Sequence, residues 1–127
     1  GTIPSEIGLL EELNIFHVAN NQIEGEIPDQ LYDLERLTQV NIGYNKIEGQ
    51  ISSKIGQLKG LSGLQMFDNQ LSGSIPTNIG ELDQLTDFLL SNNIKLNGTL
   101  PSEIGMMTKL ENIWIQNCTE LSGSLPS

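Results

Sequence analysis

Apolar residues recur along this chain at one fixed set of offsets. From Leu13 they stand at Leu13, Phe16, Val18, Ile23 and Ile27, and from Leu37 at Leu37, Val40, Ile42, Ile47 and Ile51. Leu61, Leu64, Met66, Leu71 and Ile75 repeat the offsets. A fourth copy runs Leu85, Phe88, Leu90, Leu96, Leu100 and a fifth Leu110, Ile113, Ile115, Leu121, Leu125, each with one residue inserted after its third apolar position. The starts are 24, 24, 24 and 25 residues apart. Alternation such as Phe16/Val18 or Ile113/Ile115 has the period of two of a strand with one buried face. It predicts strands centred near 15–18, 39–42, 63–66, 87–90 and 112–115. A unit this small cannot bury its apolar edge alone, but stacked copies build a continuous core. Successive strands then pair in parallel about 4.8 Å apart, in one sheet. Phe16, Val40, Leu64, Phe88 and Ile113 are expected to form one buried stack.

The polar residues keep the same register. Asn21, Asn45, Asn69 and Asn93 follow the strand region at one place, where a short amide side chain can hydrogen-bond the backbone of a buried turn. Gly25, Gly49, Gly73, Gly98 and Gly123 mark the next turn, one that calls for positive φ. Ile-Pro or Leu-Pro comes next, then a stretch such as Ser5-Glu6-Ile7-Gly8-Leu9. It is short and interrupted by glycine, which suits a 3₁₀ or single-turn helix.

The spans Leu13–Pro28 (LNIFHVANNQIEGEIP) and Leu61–Pro76 (LSGLQMFDNQLSGSIP) resemble the plant-type leucine-rich repeat, LxxLxLxxNxLxGxIP. The resemblance implies an α/β fold: a right-handed leucine-rich repeat solenoid with a parallel sheet on its concave face and short 3₁₀ or single-turn helices on its convex side. It covers residues 1–127, divided as a partial repeat 1–12, repeats 13–36, 37–60, 61–84 and 85–109, and a partial repeat 110–127. The chain reads as a piece of a longer protein. The family includes ectodomains of plant receptor-like kinases and receptor-like proteins, secreted inhibitors of cell-wall pectinases, and similar algal repeat proteins. Three positions depart from its pattern: Ser52 replaces the proline and implies a less rigid turn, Tyr32 replaces a glycine, and Cys118 replaces the ladder asparagine. Cys118 is expected to be a small buried group there.

In this family the ligand meets the concave face, so the resemblance assigns that role to the x positions of each LxxLxLxxN. Among them Tyr44, Phe67, Leu89 and Trp114 are expected to stand exposed on a face the fold leaves open, and exposed aromatics often anchor interfaces. Gln65, Asp68, Asp87 and Gln116 lie between them and supply hydrogen bonds and charge. These eight residues form the candidate ligand site. The expected partner is a protein, peptide or carbohydrate.

Charge narrows the partner further. The chain carries 16 acidic and 6 basic residues, a formal net charge of -10. Arg36, Lys46, Lys54, Lys59, Lys95 and Lys109 all fall outside the face positions, in loops or on the convex side. Nucleic acid and direct membrane contact are therefore excluded on electrostatic grounds. No run of 18 apolar residues is present to span a bilayer. Catalytic groupings are also missing from the sequence. His17, the single histidine, and Cys118 lie four repeats apart. That is roughly 19 Å at one strand spacing per repeat, far beyond hydrogen-bond reach. Neither metal-ligand spacing nor a phosphate-binding glycine loop occurs, so no metal and no cofactor is expected.

Asn97-Gly98-Thr99 and Asn117-Cys118-Thr119 have the form of N-glycosylation acceptors, the first expected in a loop and the second beside the concave face. Lys95 and Glu120 are expected in neighbouring turns as a surface ion pair. The reading is a non-catalytic recognition module of a receptor-like protein, extracellular, either secreted or the ectodomain of a membrane protein. The alternative is a secreted inhibitor of a cell-wall-degrading enzyme such as a polygalacturonase, with Asp68, Asp87, Glu111 and Trp114 as its acidic-aromatic cluster. An ice-binding surface needs a regular threonine rank, and the central row His17, Asn41, Gln65, Leu89, Trp114 is not one.

Overall fold

The computed structural model describes residues 1–122. The strands of the first sheet fall where the alternation places them: β1 (Ile15–His17), β3 (Gln39–Asn41), β5 (Gly63–Gln65), β7 (Asp87–Leu89) and β9 (Asn112–Trp114). They pair in parallel in the order β1-β3-β5-β7-β9. The register sets Phe16, Val40, Leu64, Phe88 and Ile113 side by side. Val40, Leu64 and Phe88 are buried, whereas Phe16 and Ile113 on the two edge strands are half-buried. Each edge residue has a neighbouring copy on one side only among the described residues.

The expectation of a single sheet is corrected. A second parallel sheet runs along the flank through β2 (Glu24–Glu26), β4 (Lys46–Gln50), β6 (Gln70–Gly73), β8 (Lys95–Thr99) and β10 (Glu120–Ser122), in the order β10-β8-β6-β4-β2. These segments carry glycine, charge and almost no alternation, so nothing within one copy marks them as strands. Pairing with the adjacent copy makes them so. Gly25, Gly49, Gly73 and Gly98 do take positive φ, between 74 and 86°, but inside these strands and not in a free turn. Gly123 and Leu125 of the last copy lie outside the described residues. Lys46 and Lys95, expected in loops, stand on β4 and β8. Lys95 makes no ion pair with Glu120, because pairing in the sheet sets Asn97, not Lys95, opposite that residue.

On the convex side five 3₁₀ turns follow one another: η1 (Ser5–Leu9), η2 (Asp29–Asp33), η3 (Ser53–Gln57), η4 (Thr77–Glu81) and η5 (Ser102–Met106). Four are entered through an extended proline, Pro4, Pro28, Pro76 or Pro101. Ser52 at the fifth entry holds the same conformation (φ -71°, ψ 147°), and its hydroxyl accepts a hydrogen bond from the Lys54 backbone N–H. A capping oxygen thus takes over the work of a fixed ring.

The asparagine ladder ties the copies together at the ends of the first-sheet strands. Asn69 Nδ2 donates to the carbonyls of Ile42 in the preceding copy and of Met66 and Phe67 in its own, while its Oδ1 accepts from the Ile47 N–H. Asn45 and Asn93 repeat the arrangement one copy to either side. Cys118 occupies the fifth rung, buried, its thiol donating to the Leu90 carbonyl at 3.4 Å. Burial pushes the Cys118 thiol pKa up, which disfavours the reactive thiolate. The residue before each rung, Asn20, Tyr44, Asp68, Asn92 or Asn117, is left-handed, with φ between 54 and 64°.

Tyr32 and Ser52, two separate departures in the sequence, prove to be neighbours. A glycine at this place in η1, η3 or η4 leaves room for the next copy: a Cβ on Gly8 would stand 2.8 Å from the Gln30 Cβ, and one on Gly80 2.6 Å from the Glu103 Cβ. Tyr32 instead fills that space with a fully buried ring, and η2 and η3 pack less closely than their counterparts. The Ser52 N–H, which a proline would lack, points at the Tyr32 hydroxyl across 3.5 Å.

Two predictions follow from this packing. Leu64 is fully buried at the centre of the stack, and Leu64→Ala costs about 2–5 kcal/mol in denaturant unfolding; a loss under about 0.5 kcal/mol would place it outside the core. Tyr32 gives a pH signature. Burial raises its pKa from 10.0 to about 12, so over that interval the folded state keeps a proton that the unfolded chain has released. Stability from this group is complete below pH 10 and is lost as pH rises towards 12, at about 1.4 kcal/mol per pH unit. Tyr32→Phe removes that part of the alkaline decline, checked by unfolding midpoints at about pH 9 and about pH 11.

Candidate functional site

The open face of the first sheet is built from the residues that alternate with its buried row. Register gives two rows: Ile15–Gln39–Gly63–Asp87–Asn112 and His17–Asn41–Gln65–Leu89–Trp114. Beyond the strand ends lie Ala19, Gly43, Phe67, Ser91 and Gln116, and then the left-handed positions. The eight candidate residues divide between these places, and they do not form one exposed stripe.

Leu89 is the clearest correction. Expected to be exposed, it is only 8% accessible. It sits on the inner strand β7, between Gln65 on β5 and Trp114 on β9, within a sheet flanked on both sides. Phe67 is half-buried as well. Its ring lies over Gly43, where a Cβ would come within 2.7 Å of the ring edge. Tyr44 meets the same ring edge to face, with centroids 5.1 Å apart. Phe67 is thus held in place by the protein itself. Tyr44 remains 52% exposed, but like Asp68 it stands in the left-handed turn past its strand, at the margin of the face.

What the structure does bring together lies on β5, β7 and β9. Trp114 is 50% exposed, and its indole N–H has no partner among the described residues. Gln65 and Leu89 share its row. One residue pair along the strands, Asp87 Oδ1 accepts from Asn112 Nδ2 at 2.6 Å, and in the other direction the Ser91 hydroxyl donates to Gln116 Oε1 at 2.6 Å. Asp68 Oδ2 accepts from Asn92 Nδ2 at 3.0 Å, which in turn accepts from Asn117 Nδ2 at 2.7 Å through its Oδ1. Asn112 and Ser91 therefore hold the orientation of the candidate side chains. Sequence reasoning placed both on the face without singling them out, and their signal is the 25-residue offset that sets one beside its acceptor. His17 stands three strands from Leu89, with Asn41 Nδ2 at 3.5 Å from its Nε2.

The electrostatics are one-sided. All six basic residues lie away from this face. Arg36, Lys54 and Lys59 are paired with Glu12, Asp29 and Glu81 at 2.6, 3.6 and 3.9 Å, and Lys109 donates to Gln84 Oε1 at 2.7 Å. The face itself is an open sheet. A cleft of about 490 Å³ with Glu26, Asp29, Gln50 and Ser53 on its walls belongs to the flank and the 3₁₀ turns. Among the described residues no group of three or more His, Cys, Asp or Glu is arranged to hold a metal ion.

Repeat architecture of this kind defines a leucine-rich repeat solenoid. The family model described as Leucine Rich Repeat matches residues 9–34. Among curated protein sequences none matches the chain. Solved structures resemble it closely. The plant peptide hormone receptor RGFR1, in complex with RGF2, superposes with a TM-score of 0.96 at 41% identity over 99% of this chain and 20% of that one. The ectodomain of the membrane receptor kinase GASSHO1/SCHENGEN3 from Arabidopsis thaliana, in complex with CASPARIAN STRIP INTEGRITY FACTOR 2, gives 0.89 at 33% identity over 92% and 14%. The Arabidopsis receptor kinase HAESA ectodomain, with an N-terminal extended IDA peptide hormone ligand, gives 0.82 at 32% over 89% and 19%. The chain thus spans a fifth or less of these receptors. It is a leucine-rich repeat protein, and its solenoid is of the kind found in plant receptor-kinase ectodomains.

The seat of Phe67 supplies a prediction. Gly43→Ala drives a methyl group into the ring and costs about 1–3 kcal/mol. In a Phe67→Ala background the same change costs under about 0.5 kcal/mol, so the double-mutant cycle shows a coupling of about 0.5 kcal/mol or more. Additive losses in denaturant unfolding would mean that the ring does not rest on Gly43.

Proposed function

We propose that this segment is a non-catalytic recognition surface of an extracellular receptor-like protein, and that it binds an extended peptide across β5, β7 and β9. The observation that carries the reading is Trp114: half-exposed, its indole N–H without a partner among the described residues, beside the apolar Leu89 and within an acidic surround. Tryptophan so placed offers large contact area at small entropic cost. Asp87 lies one strand away and Glu111 precedes β9, while no cation shares the face. A peptide with a lysine, an arginine or a free N-terminus next to an apolar residue meets that surface best. The clefts of about 480 to 530 Å³ are lined by residues off this face, which favours an extended ligand over a small molecule. That RGFR1 and HAESA are described with peptide hormones favours a peptide over a glycan. No observation favours the inhibitor of a cell-wall-degrading enzyme.

Candidate peptides are found by screening a synthetic library against the whole protein and measured by calorimetry. Trp114→Ala weakens the binding of a selected peptide by about 1–3 kcal/mol, Lys54→Ala leaves it unchanged, and added salt weakens it. Equal affinity in Trp114→Ala, or a loss in Lys54→Ala, would show that the peptide sits elsewhere.

A further inference from the structure

The chain holds two Asn-X-Thr sequences, and the fold treats them differently. Asn97-Gly98-Thr99 lies on β8, not in the loop expected of it. Of this strand only Leu96 is buried; Lys95, Asn97, Gly98 and Thr99 are all exposed. Neither the Asn97 amide nor the Thr99 hydroxyl makes a hydrogen bond to another described residue. Glu120 of β10 pairs with Asn97 and is itself exposed. Beyond Gly98 the neighbouring copy offers Ser74, a small residue. The Asn97 side chain therefore faces open solvent from the flank sheet.

Asn117 is placed otherwise. Its backbone is left-handed (φ 58°), and it immediately precedes the buried ladder residue Cys118. Its Nδ2 is already a donor, 2.7 Å from Asn92 Oδ1, in the row that continues to Asp68. A sugar on that nitrogen takes one of its two hydrogens and puts a pyranose ring where the amide now meets Asn92. It also stands beside Gln116, at the edge of the proposed peptide face.

We infer that Asn97 carries an N-linked glycan and that Asn117 stays unmodified. The donor is a lipid-pyrophosphate-linked oligosaccharide of the secretory pathway. A bond forms between Asn97 Nδ2 and the anomeric carbon of the first sugar, the bond from that carbon to the pyrophosphate oxygen breaks, and the lipid pyrophosphate leaves with the electron pair. Nδ2 gives up one proton. The assignment rests on the reading above only in requiring an extracellular route. It also gives the two sheets separate roles: the flank sheet becomes a shielded wall, and the face with Trp114 stays open.

The test is site occupancy in the full protein secreted from eukaryotic cells. Peptide mapping after enzymatic deglycosylation, which turns a glycosylated asparagine into aspartate, reads each site by itself. The expected result is conversion at Asn97 and none at Asn117. Asn97→Gln and Thr99→Ala each abolish the glycan of this segment, and Asn117→Gln leaves it in place. An unmodified Asn97 in the secreted protein overturns the inference, and so does conversion at Asn117, alone or beside Asn97. Either failure leaves the peptide-binding reading standing, because that one is decided by the Trp114→Ala affinity.

Discussion

The structure depends on a single repeated interaction, the hydrogen bonding of an asparagine amide to main-chain groups that no strand can satisfy. At the end of each first-sheet strand the chain turns inward towards the core, and its carbonyls face away from water. Asn69 serves three of them and one N–H, and the Ile42 carbonyl it reaches belongs to the preceding copy. A buried main-chain group left without a partner costs about 1–3 kcal/mol, so each rung is worth more than its own side chain's burial. Because every inner rung bonds backward, the ladder also fixes the register between copies. The αL residue before it, from Asn20 to Asn117, is the conformational cost of presenting those carbonyls to one side chain.

Fixed register explains why the contacts between copies are so specific in size. A glycine in one 3₁₀ turn makes room for a side chain in the next, as Gly80 does for Glu103, and the exception is resolved within the same pair of copies. Tyr32 fills the gap left by its missing glycine, η3 stands off, and Ser52 supplies an N–H where proline has none. On the open side the same accommodation appears between Gly43 and Phe67. The inserted residues in the fourth and fifth copies fall between the two sheets' strands, in the stretches after β7 and β9, where neither ladder register is disturbed.

The first sheet and the 3₁₀ turns were legible because each copy carries its own signal: alternating apolar residues, the asparagine, the proline. The flank sheet was not, since Glu24-Gly25-Glu26 or Lys46–Gln50 becomes a strand only by pairing with a neighbour and has no buried face of its own to announce it. A similar limit applied to the site. Its positions follow from the pattern, but exposure does not. Leu89 and Phe67 share the pattern of Trp114, yet the inner position of one buries it and the glycine seat of the other leaves it half-buried. Burial on an open face is set by the neighbours two dozen residues away, which no local window contains.

These constraints also decide where variation is tolerated. Residues that hold the ladder, the core and the glycine seats are tied to partners in adjacent copies, so a change at one requires a change at another. On the open face Asp87 and Gln116 are held by side-chain bonds along the surface, to Asn112 and Ser91. Those bonds align the polar groups before any ligand arrives, which lowers the entropy lost on binding. Salt bridges on the outer side keep three of the six cations paired with carboxylates there. The open face is left with acids, Asp68 and Asp87 among them bonded to amides, and no cation. Its potential is therefore negative in the absence of a partner, and the half-exposed Trp114 stands inside that field.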